Sequence, residues 1–435
     1  MSIDITKNGW SHRWQNILAA IDKTILFNSL WLALGEAVSK GAMFLATILL
    51  IRYLSPTDFG HFSLANSLAV TAGMVIDFGL STIVTRDLSG NLDSTQKYLS
   101  NILSLKLLLG VFYLFLIFII TFFPGFDRHD QWTLVLLLLA LFIWFQDLTG
   151  LFASLFVAEE RMEKLFFVQV VHYCGIAFAA LVTVHFQWDL KGLVTTYVLA
   201  ASTGTAMAYI FILKENVRLS FRLDRHFISG LLKRSLPLFG ALALTTVYAN
   251  ADTLIIGQML GAEAVGFYQG AYKFLFVFQS FNLLNTAFFP RISIYIKTGD
   301  SHAFNRLNIV VMLFCLFILL PLTLLAILFI KPILLFIYGE KMLPSIDPLR
   351  FMIGAASVYF LRIYLSNILI AQDRQRLMFI TLCTGLLFNI FLNIDLIPIY
   401  GVATGGLALL LSEIEMCGLM LFFVRKNTVM RSTSV

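Results

Sequence analysis

The sequence predicts an all-α integral membrane protein with about twelve transmembrane helices, arranged as two parallel-repeat six-helix lobes around a central cleft. Three observations predict this class: an apolar composition, hydrophobic runs of about twenty residues, and positive charge that alternates between successive loops. Hydrophobic residues make up 59% of the 435 residues and charged residues 13%, with a mean hydropathy of +0.85. Soluble domains carry about 25% charged residues, so this chain cannot build a water-facing surface. Because a bilayer admits only helices and closed barrels, and these apolar runs do not alternate, we expect helices.

The chain is organised around a predicted helical hairpin between Leu30 and Asp87. An apolar helix reaches about Leu50, and the polar tip RYLSPTDFG follows at residues 52–60. Pro56 cannot sit inside the first helix, and its neighbours Ser55 and Asp58 favour turns. A similar hairpin recurs between residues 236 and 291, so we expect the two hairpins to line one route through a membrane.

The hydrophobic pattern predicts twelve spans with short connections, none of which is long enough for an extramembrane domain. The spans are residues 25–52, 60–84, 99–123, 132–157, 165–185, 190–213, 235–259, 264–289, 307–330, 347–371, 377–398 and 402–424. The predicted division is an N-terminal cytoplasmic segment, an N-terminal lobe, a basic linker, a C-terminal lobe and a cytoplasmic tail: residues 1–24, 25–213, 214–234, 235–424 and 425–435.

Lysine and arginine are distributed unequally between alternate loops. One set of loops and termini holds 21 of the 31, the other set holds 6, and 4 lie within spans. The positive-inside rule therefore predicts that both termini are cytoplasmic. The net charge of +6 is then a consequence of topology, which argues against a nucleic-acid partner. The basic linker 214–234 is expected to lie along anionic lipid headgroups as a hinge.

The two halves align at an offset of 206 residues. Leu54 then corresponds to Leu260 and Gly60 to Gly266. With six spans per half, both halves have the same orientation, so the repeat is parallel. Two such lobes enclose a cleft, and rocking them gives alternating access.

Polar residues recur inside the second and eighth spans. They lie on one stripe of each helix and comprise Ser63, Asn66, Ser67, Thr71 and Asp77 in the second span, and Tyr268, Tyr272, Gln279 and Asn282 in the eighth. Such stripes must face protein or water rather than lipid. Interhelical hydrogen bonding and a cavity lining both explain them.

Four cations lie within spans: Lys40, Lys106, Lys273 and Arg362. The acids in or near the spans are Glu36, Asp77, Asp147, Asp252, Glu413 and Glu415. Charges at this depth need a partner or water. Glu36 and Lys40 are four residues apart and can pair on one helix.

The remaining cations lead to different expectations. Lys273 and Arg362 have no acid within a turn, which favours a hydrated cavity around them. Lys106 can either line a cavity or extend to the cytoplasmic face. Asp252 can hold a coupling cation or proton, or pair with Lys273.

Other chemistry has no counterpart in the sequence. There is no phosphate-binding loop and no His-Glu-x-x-His zinc site, so neither an ATPase nor a cofactor is expected. The four cysteines lie in apolar runs and are expected to be free. The glycines from Gly401 to Gly406 fit close helix packing.

Two stretches of the sequence resemble a known family. Residues 52–60, and Asn393 with LIPIYGVATGG at residues 396–406 followed by Glu413, are similar to the first and last hairpins of polysaccharide transporters. These belong to the multidrug/oligosaccharidyl-lipid/polysaccharide superfamily, which includes the O-antigen flippases.

The resemblance implies a non-enzymatic flippase. Such proteins move undecaprenyl-diphosphate-linked oligosaccharides between leaflets of the inner, or cytoplasmic, membrane by alternating access, with Na⁺ or H⁺ coupling in some members. It implies phosphate-attracting roles for Lys40, Lys106, Lys273 and Arg362. From the polar stripes we expect a substrate-lining role for Tyr268, Tyr272, Asn66 and Asn282, and from the intramembrane acids we expect coupling candidates in Asp252, Glu36 and Asp77. Expected partners are the lipid-linked oligosaccharide, membrane lipids and other polysaccharide assembly proteins.

Two alternatives stay open. A cation-coupled multidrug exporter of the same superfamily would have an acid-dominated cavity. A membrane polysaccharide polymerase or ligase would need a large extracytoplasmic loop, and the longest candidate, residues 330–347, is short.

Overall fold

The computed structural model describes residues 23–90, 92–122, 130–215, 217–279 and 281–432. Most of these residues are helical, and none of them lies in a β-strand. The predicted segment 1–24 therefore lies almost entirely outside the described residues. The helices are α1 Lys23–Tyr53, α2 Pro56–Asp77, α3 Leu80–Leu88, α4 Thr95–Ile120, α5 Asp130–Ala158, α6 Met162–His185, α7 Leu190–Lys214, α8 Arg225–Leu260, α9 Ala262–Gln279, α10 Asn282–Thr298, α11 Ser301–Phe314, α12 Leu320–Leu328, α13 Ile330–Tyr338, α14 Ile346–Ala371, α15 Gln375–Tyr400 and α16 Ala403–Ser432. Within the described ranges, 11 helical segments are long and apolar enough to span a bilayer.

The first hairpin forms where the sequence predicts it. The α1 helix ends at Tyr53, and Ser55 caps α2 by accepting a hydrogen bond from the Asp58 backbone N–H at 3.0 Å. Pro56 occupies the first turn of α2, where its missing N–H leaves no helical bond unmade. The helical membrane fold and its leading hairpin are thereby confirmed.

The second predicted span is broken in the structure, and the described residues of the eighth are divided between two helices. The second span, predicted as 60–84, divides into α2 and α3 because Phe78 and Gly79 have φ angles of 46° and 76°. The Asp77 carboxylate accepts from the Gly79 and Ser81 backbone N–H groups, which stabilises the break. The eighth span, predicted as 264–289, consists of α9 and α10. Neither helix is among the 11 long apolar segments, and the predicted count of twelve is not reproduced within the described ranges.

Helices of the two sequence halves pack against each other mainly through α2. This helix contacts α5 within its own half, and α8 and α9 of the other half. The approach is close because Gly60 and Gly266 lack side chains. A Cβ at Gly60 would lie 1.7 Å from the Ala262 carbonyl oxygen, and one at Gly266 would lie 2.0 Å from that of Pro56.

The glycines that close the last hairpin also pack tightly, as the sequence predicts. A Cβ at Gly405 would lie 2.5 Å from the Tyr268 ring, and one at Gly406 would lie 2.3 Å from the Pro348 carbonyl oxygen. These close approaches bring α16 against α9 and α14, the helices that carry Lys273 and Arg362.

The basic linker has local structure that the sequence pattern did not indicate. Residues 217–224 are non-helical and dock on α4 through three bonds from backbone N–H groups to polar side chains. These bonds are Ser220 to Ser100 Oγ, Arg222 to Ser104 Oγ and Asp224 to Asn101 Oδ1, at 3.2, 2.9 and 2.7 Å. The linker is thus held by the first half. Its proposed contact with lipid headgroups, and the boundaries of the two lobes, stay predictions.

Candidate functional site

A cavity of about 370 Å³ lies between the two sequence halves. We call it the interface cavity; α1, α5 and α6 of the first half line it together with α9 of the second half. Its polar lining includes Glu36, Ser39, Lys40, Gln146, Gln169 and Lys273. Two of the four predicted intramembrane cations, Lys40 and Lys273, therefore meet in one space.

The interface cavity has a formal net charge of +1. Glu36 and Lys40 pair at 3.1 Å, which confirms the predicted local ion pair. Lys273 is partly buried, and no acid lies close enough to compensate it among the side chains that the structure describes. Two cations and one carboxylate leave one positive charge facing the cavity. An ammonium without an acidic partner in a polar cavity suits an anionic ligand.

Neutral polar atoms in the same cavity also lack partners. Ser39 Oγ and Gln169 Oε1 are both buried and make no hydrogen bond within the described part of the chain. Buried polar atoms normally find a partner, so these two favour water or a hydroxylated ligand. Neither residue was predicted from the sequence, although Gln169, like Asn66, is a polar residue inside an apolar span.

A second cavity of about 370 Å³ lies within the second half, between α8, α9, α14, α15 and α16. We call it the C-half cavity. Its charged lining consists of Asp252, Arg362 and Glu413, and its aromatic lining includes Tyr248, Tyr272 and Tyr359. One cation and two carboxylates give it a formal net charge of −1.

Arg362 lines a cavity as predicted, but it is neutralised there. Its Nε donates to Glu413 Oε2 at 2.6 Å, and both side chains are buried. Tyr248 donates to the other oxygen of Glu413 at 3.0 Å. Glu413 is 51 residues from Arg362 in sequence, so an expectation based on acids within one helical turn did not include this pair. Its closed geometry argues against the predicted phosphate role of Arg362.

Asp252 is buried among neutral partners. Its carboxylate accepts from Tyr268 Oη at 2.8 Å and from Asn393 Nδ2 at 2.6 Å. The alternative pairing with Lys273 is not formed. The other atom of the same amide group, Asn393 Oδ1, is buried without a hydrogen-bond partner in the described residues. A carboxylate next to an unpaired amide oxygen offers hard oxygen ligands that fit a monovalent cation, or a proton on Asp252.

Lys106 belongs to a third group, the ion cluster of Lys106, Asp77 and Asp147. The ammonium is fully buried and donates to Asp77 Oδ1 at 2.7 Å and to Asp147 Oδ2 at 2.9 Å. It also lies 3.2 Å from Ser81 Oγ. With all its donors engaged, Lys106 neither extends to the cytoplasmic face nor lines the cavities described above. The cluster instead ties α4 and α5 to the break between α2 and α3.

The remaining predicted site residues are dispersed. Tyr272 lines the C-half cavity, whereas Tyr268 is buried with its hydroxyl engaged by Asp252. Asn66 on α2 is partly buried and lines neither cavity. Asn282 accepts from Asn285 at 3.3 Å at the start of α10. The structure therefore gives no geometric support to a shared tyrosine–asparagine lining.

Two family models and one relative match the sequence of this chain. The family model "Polysaccharide biosynthesis protein" matches residues 25–295, and the model "MatE" matches residues 237–394. A protein of Escherichia coli (strain K12) described as "Putative O-antigen transporter" is 23% identical over 423 residues, covering 91% of this chain and 96% of the relative.

Two solved structures have a similar fold. The chain overlays "Lipid II flippase MurJ, inward closed conformation" with a TM-score of 0.76 at 16% identity, covering 91% of this chain and 87% of that one. A "multidrug resistance MATE family transporter of the MOP superfamily" in an inward-facing conformation gives 0.72 at 12% identity, covering 93% and 99%. The fold is that of a multi-pass membrane transporter of this superfamily. Within it, the chain belongs to the polysaccharide biosynthesis protein family.

Proposed function

We propose that this protein flips a lipid (undecaprenyl) diphosphate-linked oligosaccharide across the inner, or cytoplasmic, membrane for the synthesis of an O-antigen-like surface polysaccharide. The two halves rock against each other so that the interface cavity opens to each side in turn. Family membership supports the substrate class, as do a relative named as an O-antigen transporter and a structural neighbour named as a lipid II flippase. Lipids and other polysaccharide assembly proteins are its proposed partners.

The observation on which this proposal depends is Lys273 in the interface cavity. A diphosphate carries negative charge, and the cavity between the two halves offers one uncompensated ammonium. Ser39 and Gln169 supply unpaired polar atoms suited to sugar hydroxyls. The volume of about 370 Å³ falls in the range of small-ligand pockets, which fits a head group while the prenyl chain stays in lipid.

We propose further that Asp252 couples transport to Na⁺ or H⁺. Its partners are neutral, so its charge is free to be compensated by a cation or a proton. The C-half cavity already pairs its only cation, Arg362, with Glu413. Binding at Asp252 therefore changes the net charge of that cavity from −1 to 0, which favours closure of the second half around it.

The test replaces Lys273 in a strain whose own copy of the gene is deleted. Lys273→Met is expected to lower surface polysaccharide at least about tenfold, because removing one charge–charge contact of about 1.4 kcal/mol weakens binding tenfold. Lys273→Arg keeps the charge and is expected to restore most export. Surface polysaccharide is quantified by immunoblot, and the amount of protein in the membrane is measured in parallel.

Lys331→Met is the matched control, since Lys331 is exposed at the start of α13 and lies outside both cavities. It is expected to export normally. Full export by Lys273→Met at normal protein levels would contradict the proposed role of Lys273.

A second candidate function is cation-coupled multidrug export. The "MatE" match at residues 237–394 and the negative C-half cavity favour it. Proteoliposomes separate the two functions: efflux of a cationic dye driven by a Na⁺ or H⁺ gradient supports the exporter, and flipping of a lipid-linked saccharide diphosphate supports the flippase. The unpaired Lys273 repels a cationic drug, which is why we favour the flippase.

A further inference from the structure

The two halves also meet at the tip of the first hairpin, where two cations cross between them. Arg52, in the last turn of α1, donates from Nε to the Ile337 carbonyl at 2.7 Å and from Nη2 to the Phe336 carbonyl at 2.5 Å. Lys341 donates in the opposite direction, to the carbonyls of Arg52 at 2.7 Å and Leu54 at 2.5 Å.

Each cation caps the end of a helix in the other half. Phe336 and Ile337 lie in the last turn of α13, and Arg52 lies in the last turn of α1. The last four carbonyls of a helix have no partner within it and form the negative end of the helix dipole. A cation placed there donates to the unpaired carbonyls and offsets the negative end of the dipole. The contact is reciprocal, because the C-terminal ends of α1 and α13 each receive a cation from the other half.

The placement of these residues is unusual for a membrane protein. The positive-inside rule assigns this tip to the extracytoplasmic side, where basic residues are disfavoured. Only 6 of the 31 basic residues fall in the loops assigned to that side, and two of them form this contact. No carboxylate is needed, since the acceptors are backbone carbonyls. The capping contacts of Arg52 and Lys341 therefore offset the unfavourable placement of basic residues on this side of the membrane.

Directly beneath the cations, the two backbones touch. The Gly60 backbone faces the Ala262 carbonyl, and the Gly266 backbone faces the Pro56 carbonyl, with no room for a side chain on either glycine. The tip is therefore closed at two levels, by backbone packing and by reciprocal capping.

We propose that Arg52 and Lys341 form a tip latch, which holds the extracytoplasmic end of the interface cavity closed and must release before the cavity opens there. The proposal rests on the alternating access described above. Four hydrogen bonds to backbone groups break together when the halves separate, so the latch favours the closed state until other contacts compensate.

The experiment uses the full chain in lipid nanodiscs, with the four free cysteines Cys174, Cys315, Cys383 and Cys417 replaced by serine. Spin labels are attached at Thr57 and Glu340, exposed positions on the two sides of the tip. Double electron–electron resonance then measures the distance between them without any substrate. We expect one short distance in the parent, with an open state of at most about 10%.

The double variant Arg52→Met/Lys341→Met is expected to raise the long-distance population at least about fivefold. The control Lys331→Met removes an exposed cation of α13 that has no hydrogen bond or ion pair with the residues the structure describes, and it is expected to leave the distribution unchanged. An unchanged distribution in the double variant, or a parent that is already mostly open, would overturn the latch.

If the double variant is not recovered as folded protein, the single variant Lys341→Met provides the same test with one cap retained. Because no substrate is present, this measurement is independent of what the protein carries. A failed Lys273 export test with an opened tip would reject the proposed cargo and keep the latch, and the reverse result would do the opposite.

Discussion

The interface cavity and the C-half cavity have the same volume, about 370 Å³, and opposite formal charges. The first has a net charge of +1 and an ammonium without an acidic partner among the described residues; the second has a net charge of −1 and a buried carboxylate with neutral partners. An anionic head group and a coupling cation can therefore be held in separate places. This separation lets each ligand influence the movement of the halves without competing for the same side chains.

The comparison also shows that a charge inside a span is informative only through its partner. Lys106 and Arg362 are both compensated by acids from other helices, whereas Lys273 and Asp252 have no opposite charge beside them in the part of the chain that the structure describes. Paired charges hold helices together, whereas an unpaired charge can be compensated by a bound ligand.

The largest expected effect is on protein stability, which substitutions in the two cavities should change by different amounts. Arg362→Met leaves the buried Glu413 with only Tyr248 as a hydrogen-bond partner, and breaking a buried ion pair costs about 3–5 kcal/mol. Lys273→Met breaks no pair and is expected to change stability by less than about 1 kcal/mol. Thermal unfolding of the detergent-purified variants measures both.

The double variant Arg362→Met/Glu413→Gln is the control for this comparison. Neutralising both partners removes the uncompensated charge, so most of the lost stability should return. Equal stability of Arg362→Met and the parent would show that the pair is dispensable and that the two cavities do not differ in this way.

The intermediate effect concerns the coupling ion. If Asp252 binds Na⁺, a concentration of 100 times the dissociation constant stabilises the folded protein by about 2.7 kcal/mol. Asp252→Asn keeps the shape of the site and loses the charge, so the stabilisation by Na⁺ over K⁺ should disappear. The melting temperature is measured against Na⁺ concentration at fixed pH, and against pH in the absence of Na⁺ to detect coupling to H⁺.

Glu36→Gln provides the contrast, because it removes a carboxylate from the interface cavity instead. It should keep the parent's response to Na⁺ or pH. If Glu36→Gln loses the response and Asp252→Asn keeps it, the cation binds in the interface cavity, which would contradict our proposal.

Much of the fold follows from the sequence because the bilayer imposes strong rules. Continuous apolar runs predicted the helical spans, and Pro56 with its turn-forming neighbours predicted the first hairpin. The breaks were harder to anticipate. Phe78 has a positive φ although it is not glycine, beside Asp77, which caps the next helix. The Asp77 carboxylate is itself held by Lys106 of α4, which is a tertiary contact that sequence spacing does not reveal.

The site was less predictable than the fold. The Glu36–Lys40 pair was found because its members share one helix. The partners of Arg362 and Lys106 come from other helices, and sequence spacing contains no information about them. The docking of Ser220 on Ser100 and the tip contacts of Arg52 likewise depend on which helices become neighbours.

The smallest expected effect concerns the Glu36–Lys40 pair, whose side chains are 48% and 40% exposed. An exposed pair of this kind contributes about 0.3–0.5 kcal/mol to stability, so neither Glu36→Gln nor Lys40→Met should alter unfolding noticeably. Substrate affinity should respond in opposite directions, because Glu36→Gln raises the formal charge of the interface cavity from +1 to +2 and Lys40→Met lowers it to 0. One unit charge about 6 Å from an anion in water changes binding by about 0.7 kcal/mol, roughly threefold. The half-saturating concentration of a lipid-linked saccharide diphosphate in proteoliposomes should therefore fall in Glu36→Gln and rise in Lys40→Met. Shifts in the same direction would mean that this pair acts through local structure, and that the charge of the cavity does not select the cargo.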